Sequence, residues 1–465
     1  GRGAAAEAPA ASLAGLARGL AEGGANEEQA AWALFCWVCC HSEAISRSEG
    51  EYGSSAGGLQ AEVQDILRGA LECTGQGYAE LYTKLASEVG LETAVIAGHV
   101  RDAMCAVGDD VCGKAQHAHV WNAVRLGQTW ILVDCTLGSG RRTVSSLERC
   151  FRPYYFGPPP SELGFSHMPD DEVWQLVESP QSRTAFAGQP IVSAAAFFGL
   201  GMSFHPAERP SGLIVLRDAN SGSLSLQIPQ DVTLSASLDS DERRCFVAPS
   251  DDDPGCCEIH YRTPIGAGNH RLEVLVRSQG TTGRFVSACT FRVTAPFDPE
   301  RFVEPFFPKV HRETFLEHGL SFREPLPVGR FVLSETNQIS IHVSAPPDVL
   351  VVAELVADEG DQACAGATLV QRMQGGSEGS AGDGCAVDGA STGVQVTARC
   401  PVGEHRLCIL VKWRGVKDGY REALSYSVFV DQDCCEIFEG PFDSAVVEAA
   451  ASEEVPGDED EAEVQ

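Results

Sequence analysis

The chain has 465 residues, enough for about three domains of ~150 residues, and at 43% hydrophobic and 8% aromatic it has the composition of packed globular domains. Its 34 Lys plus Arg stand against 65 Asp plus Glu, a net charge of −31, which disfavours nucleic acid and anionic membrane surfaces as partners. No stretch approaches the ~20 continuous apolar residues of a membrane span. The 18 cysteines sit in a chain too large and too rich in core residues for a disulfide scaffold, so free thiols in a reducing, cytoplasmic compartment are expected.

In chain order, residues 1–25 are rich in Ala and Gly and are expected to be a disordered segment, and because the first residue is Gly1 the start is read as open to a lost piece. Residues 26–40 (NEEQAAWALFCWVCC) read as a helix with Asn26 as cap and Glu28 in its first turn. Cys36-Trp-Val-Cys39 lies in that apolar run and reads as core packing; no second CxxC completes a zinc site. Residues 47–60 read as a loop and 60–71 as a second helix. A third helix spans Gly77 to Val89, with Tyr78, Leu81, Tyr82, Leu85, Ala86 and Val89 on one face and Gly90 as its stop. Ala94–Val100, Ala118–Leu126 and Thr129–Cys135 read as strands, the last two joined by a two-residue Gly127-Gln128 hairpin of type II′.

Past residue 185, short alternating runs punctuated by Gly, Pro, Asn and Asp predict β-sandwiches. An internal repeat runs through them. Pro190 to Phe204 matches Pro308 to Phe322, Pro229-Gln-Asp-Val matches Pro346-Pro-Asp-Val, and His270-Arg-Leu-Glu-Val-Leu-Val-Arg matches His405-Arg-Leu-Cys-Ile-Leu-Val-Lys. Two copies predict tandem sandwiches, the second with a longer loop in the Gly-rich stretch 375–390. The domains expected are 26–185, 188–297 and 306–440, followed by an acidic disordered tail over 441–465.

Pairing outward from the hairpin sets His119 and Asp134 as diagonal neighbours on one sheet face, within reach of an imidazole–carboxylate hydrogen bond. Such a pair suits an oriented general base, and equally an ordinary polar pair on a sheet. The order Gly-Tyr-Ala-Glu-Leu-Tyr, His119-Val-Trp-Asn and Trp130-Ile-Leu-Val-Asp134-Cys-Thr-Leu-Gly, followed by Tyr154-Tyr-Phe and His167-Met-Pro-Asp170, resembles transglutaminase-like cysteine peptidases, in particular the kyphoscoliosis peptidase group. That resemblance implies an α+β, papain-like core followed by two all-β immunoglobulin-like sandwiches. It also implies protein substrates or protein partners and no metal or organic cofactor.

The resemblance further implies a Cys–His–Asp triad, with His119 as base and Asp134 as its orienting group. The position matching the nucleophile is Gly75; the nearest thiol is Cys73. Two readings stay open: Cys73 serves as a displaced nucleophile in acyl transfer to water or an amine, or the nucleophile is lost and the chain is a scaffold that binds proteins. Cys105 and Cys112 are further thiols in the loop before His119, and Cys135 reads as core.

Overall fold

The computed structural model describes residues 13–24, 26–41, 43–44, 72–73, 75–142, 147–205, 210–217, 220–250, 253, 255–264, 268–278, 284–295, 306–322, 326–357, 367–373 and 392–436. The loop expected over 47–60, the helix expected over 60–71, the Gly-rich stretch 375–390 and the acidic tail lie outside them.

The segment expected to be disordered before residue 26 contains a helix, α1 (Leu13–Ala21). Leu13, Leu16, Ala17 and Leu20 recur at helical spacing, Ala17 is fully buried and the three leucines pack on the core; this stripe outweighs the Ala/Gly composition. Helix α2 (Glu27–His41) starts where Asn26 Oδ1 accepts the Gln29 N–H at 2.9 Å. Asn26→Ala is expected to cost about 1 kcal/mol of stability, measured as a shift in the urea midpoint; an unchanged midpoint would show that the cap is idle. Helix α3 (Gly75–Glu88) buries Tyr78, Leu81, Tyr82, Leu85 and Ala86, and Gly90 follows it at φ 80°. It begins two residues earlier than its apolar stripe indicates.

Two short strands, β1 (Glu43–Ala44) and β2 (Glu72–Cys73), pair in parallel with Ala44 opposite Cys73. The main sheet is antiparallel and holds β3 (Thr93–Val100), β4 (Ala118–Leu126), β5 (Thr129–Val133) and β6 (His167–Pro169) in the order β5-β4-β3-β6. Leu126 pairs with Thr129 and Gly127 takes φ 59°, as the expected hairpin requires. Asn122, fully buried, donates to Ala79 O at 3.1 Å and Thr83 Oγ1 at 3.0 Å and so ties α3 to the sheet. Gly98 is where β6 and the Trp121 ring meet β3: a Cβ there would lie 2.7 Å from both Pro169 Cα and Trp121 Cη2.

The strand expected over Thr129–Cys135 stops at Val133. Asp134 leaves the ladder because it caps α4 (Cys135–Ser139), its Oδ1 accepting the Leu137 N–H at 2.8 Å. Cys135 is therefore the first residue of a helix rather than a strand residue, and it is buried.

The two repeats fold alike. In the first, strands 203–204, 221–227, 256–262 and 245–249 form one antiparallel sheet, and 213–215, 286–295, 268–278 and 232–238 form the other. In the second, 309–310, 421–430, 403–413 and 349–357 form one sheet and 338–345, 392–399 and 367–372 the other. Each repeat adds one short parallel strand, Leu213–Val215 or Arg330–Leu333, to its last long strand. Each has a register shift at positions the alignment pairs, Val274/Leu275 and Ile409/Leu410. Each also braces itself with a buried Asn: Asn220 to Thr263 O at 3.0 Å, and Asn337 to Cys400 O at 3.1 Å.

The sandwiches are joined by packing. Phe246 of the first packs edge-on against Phe315 and at a tilt against Phe307 and Phe322 of the second, and Arg262 donates to Leu326 O and Pro327 O over the Phe307 ring. The fold is an α+β domain followed by two all-β sandwiches.

Candidate active site

The exit of β5, the start of β4 and the short β6 converge on one carboxylate. Asp134 Oδ2 accepts from His119 Nε2 at 2.7 Å and from His167 Nε2 at 3.0 Å, while its Oδ1 holds the α4 cap. All three side chains are buried. Burial pushes the Asp134 carboxyl up, but the charges and hydrogen bonds of His119 and His167 outweigh it and hold the group well below the usual carboxylate range. Because both Nε2 atoms donate to the same oxygen, neutral His119 keeps its lone pair on Nδ1.

His167 is pushed below its ordinary value of 6.5 by burial, against the pull of Asp134, and its Nδ1 meets Ser166 Oγ at 2.8 Å. A histidine held neutral in the fold binds a proton more readily once unfolded, so its contribution to stability is present above about 6.5 and is lost as pH falls below that. Asp134 acts in the same sense at lower pH: its stabilisation is present above its unfolded value near 4 and is lost as pH falls below that. The urea midpoint is therefore expected to drop between pH 7 and pH 5 in the native chain and to drop less in His167→Gln. Equal slopes in the two proteins would rule out His167 as the cause.

The other face of His119 decides the chemistry. A Cβ at Gly75, the first residue of α3, would lie 3.7 Å from His119 Nδ1 and 3.7 Å from Thr136 Oγ1, both ordinary contacts. The position opposite His119 Nδ1 is thus Gly75, which has no side chain. Cys73 stands two residues upstream, its main chain in β2 opposite Ala44. Thr136 Oγ1 and Trp121 Nε1 are buried and lack a hydrogen-bond partner. The Trp121 ring stacks 6.0 Å from His119 and meets His167 edge-on at 5.1 Å.

The geometry joins His119 to Asp134, as the sequence indicates, but through the α4 cap rather than a continuing strand. His167 is the partner that sequence reasoning missed as a site residue. Among the other thiols, Cys105 Sγ lies 3.8 Å from His117 Nδ1, yet burial pushes its thiol up, as it does for Cys112. Cys39 is buried, its Sγ directed at Cys135 O, and Cys36 is pushed up to about 11 by burial and neighbouring thiols. All of these are poor nucleophiles. Beside the cluster opens a cleft of about 470 Å³ whose lining includes Trp121, His167, Leu163, Trp174 and Gln175.

Residues 14–135 match the family model described as the transglutaminase-like superfamily. The chain is 31% identical over 177 residues to a kyphoscoliosis peptidase of Mus musculus, covering 37% of this chain and 26% of that protein. It is 28% identical to hillarin of Drosophila melanogaster, covering 37% and 22%. It is 26% identical to the Lim and transglutaminase domain protein ltd-1 of Caenorhabditis elegans, covering 47% and 30%. The chain thus spans about a quarter of the length of the curated relatives it matches. Among the described residues no helix is long and apolar enough to cross a membrane. Residues 14–135 carry a transglutaminase-like domain similar to that of the kyphoscoliosis peptidases.

Proposed function

We propose that this chain is a catalytically silent, protein-binding member of the transglutaminase-like group. On this reading the cleft and the tandem sandwiches engage protein partners in the cytoplasm, without nucleic acid or membrane contact. One observation carries it: Gly75 occupies the place that faces the base nitrogen of His119. A polarised imidazole without a thiol can take a proton but lacks the sulfur nucleophile of a thioester acyl-enzyme. The free state of the described cysteines is in keeping with a reducing compartment.

A second reading has one observation in its favour. The His119–Asp134 contact at 2.7 Å leaves Nδ1 ready for a thiol proton. Were Cys73 to reach it, its thiolate would attack a peptide or Gln-amide carbonyl, with His119 returning the proton to the leaving amine and Asp134 orienting the ring. Site-resolved alkylation of Cys73 against pH, in the native chain and in His119→Ala, separates the two. The silent reading expects Cys73 to titrate like a free thiol near ~8.5, indifferent to His119. Fast reaction below pH 7 that His119→Ala abolishes would establish Cys73 as the nucleophile.

A further inference from the structure

We infer that the slot at Gly75 is a binding site for a carboxylate, held between His119 Nδ1 and the Thr136 hydroxyl. The inference rests on the silent reading above. Both atoms lie 3.7 Å from one point, the Cβ position of Gly75. Gly75 itself is only half-buried. Thr136 Oγ1 is buried and unpartnered, and its proton calls for an acceptor oxygen.

His119 calls for the complementary group. With Nε2–H committed to Asp134, neutral Nδ1 accepts, so the pair is complementary to a planar group that donates through one atom and accepts through the other. A carboxyl group fits best, because its proton can move to Nδ1. The product is a carboxylate against an imidazolium already backed by the Asp134 charge, and charge-assisted hydrogen bonds are the stronger kind. The titratable side chains near His119 include Asp134 on its Nε2 side and His167, with Tyr155 behind His167 and the buried Cys135 thiol next to Asp134. None of them blocks the Gly75 side. No bond is made or broken beyond that proton transfer. Binding takes up one proton, so affinity falls as pH rises.

The carboxylate has two sources, the C-terminus of a peptide or a small free acid, and the test separates them. The full chain, with ¹⁵N-labelled histidine, is titrated at pH 6 with three probes at equal concentration. These are a pool of random N-acetylated pentapeptides with free C-termini, the same pool amidated, and acetate. Protonation of His119 Nδ1 is read from its nitrogen shift. The expected result is a saturable shift with the free-acid pool at least tenfold tighter than with the amidated pool, lost in Gly75→Ala and weakened in Thr136→Val.

A comparable shift with acetate keeps the carboxylate site and assigns it to small acids. Equal response to the acid and amidated pools, no response to any acid, or a response that survives Gly75→Ala overturns the inference. New amino termini released from either pool would instead remove the silent reading on which it rests. Gly75→Ala is a fair probe because its Cβ makes only ordinary contacts, and it is expected to unfold at slightly higher urea than the native chain.

Discussion

Asp134→Ala is expected to lower the unfolding free energy by about 3–5 kcal/mol. The carboxylate is 2% exposed and does three things at once: it accepts from His119, accepts from His167 and caps α4 through the Leu137 N–H. Removing it leaves two imidazole N–H groups without an acceptor in a buried setting, each at a desolvation cost of about 1–3 kcal/mol, and an open helix end of about 1 kcal/mol. Asp134→Asn keeps an oxygen for the cap but loses the charge, and should fall between the native chain and the alanine variant. Urea unfolding followed by tryptophan fluorescence reads both. A loss below about 1 kcal/mol for the alanine variant would mean that the cluster is not structural.

Gly75→Cys is expected to create a reactive thiol where the native chain has none. Its Cβ fits without displacement, 3.7 Å from His119 Nδ1, and the added sulfur then falls within hydrogen-bond reach of that nitrogen. Transfer of the thiol proton to an imidazole backed by an anionic Asp134 gives a thiolate–imidazolium pair, which lowers a thiol pKa by several units. At pH 6 the introduced thiol should alkylate about tenfold to a hundredfold faster than a free thiol, the lower nucleophilicity of a low-pKa thiolate limiting the gain. Adding His119→Ala should return it to free-thiol behaviour. A sluggish thiol that ignores His119 would show that the imidazole is not aimed at position 75.

The elements that were legible in the sequence are those whose signal is periodic. The stripe from Tyr78 to Val89, the hairpin at Gly127 and the gapless match of Pro190–Phe204 to Pro308–Phe322 each correspond to an observed feature of the chain. The pairing of His119 with Asp134 was legible because hairpin register fixes cross-strand neighbours. What stayed hidden depended on short or composite signals. β6 is three residues long, too short for any period, so nothing local shows that His167 joins the cluster. Its only sequence mark was membership of a family motif. Asp134 lies next to a run of strand-forming residues, and its capping role was visible only in the Leu137-Gly138 that follows. The α1 stripe of Leu13, Leu16, Ala17 and Leu20 was present but masked by the surrounding Ala and Gly.

The helix cap at Asp134 changes what the His119–Asp134 pair can be taken to mean. An acid that orients a base and also closes a helix answers to two demands, and only one of them is catalytic. A chain that dispensed with chemistry at position 75 would still be held to Asp134 by its fold, and the two histidines would be held in turn by the buried carboxylate. The presence of a buried His–Asp pair is therefore no testimony to turnover; the residue that stands free of such structural obligation, and so would report most directly on chemistry, is the one at the start of α3.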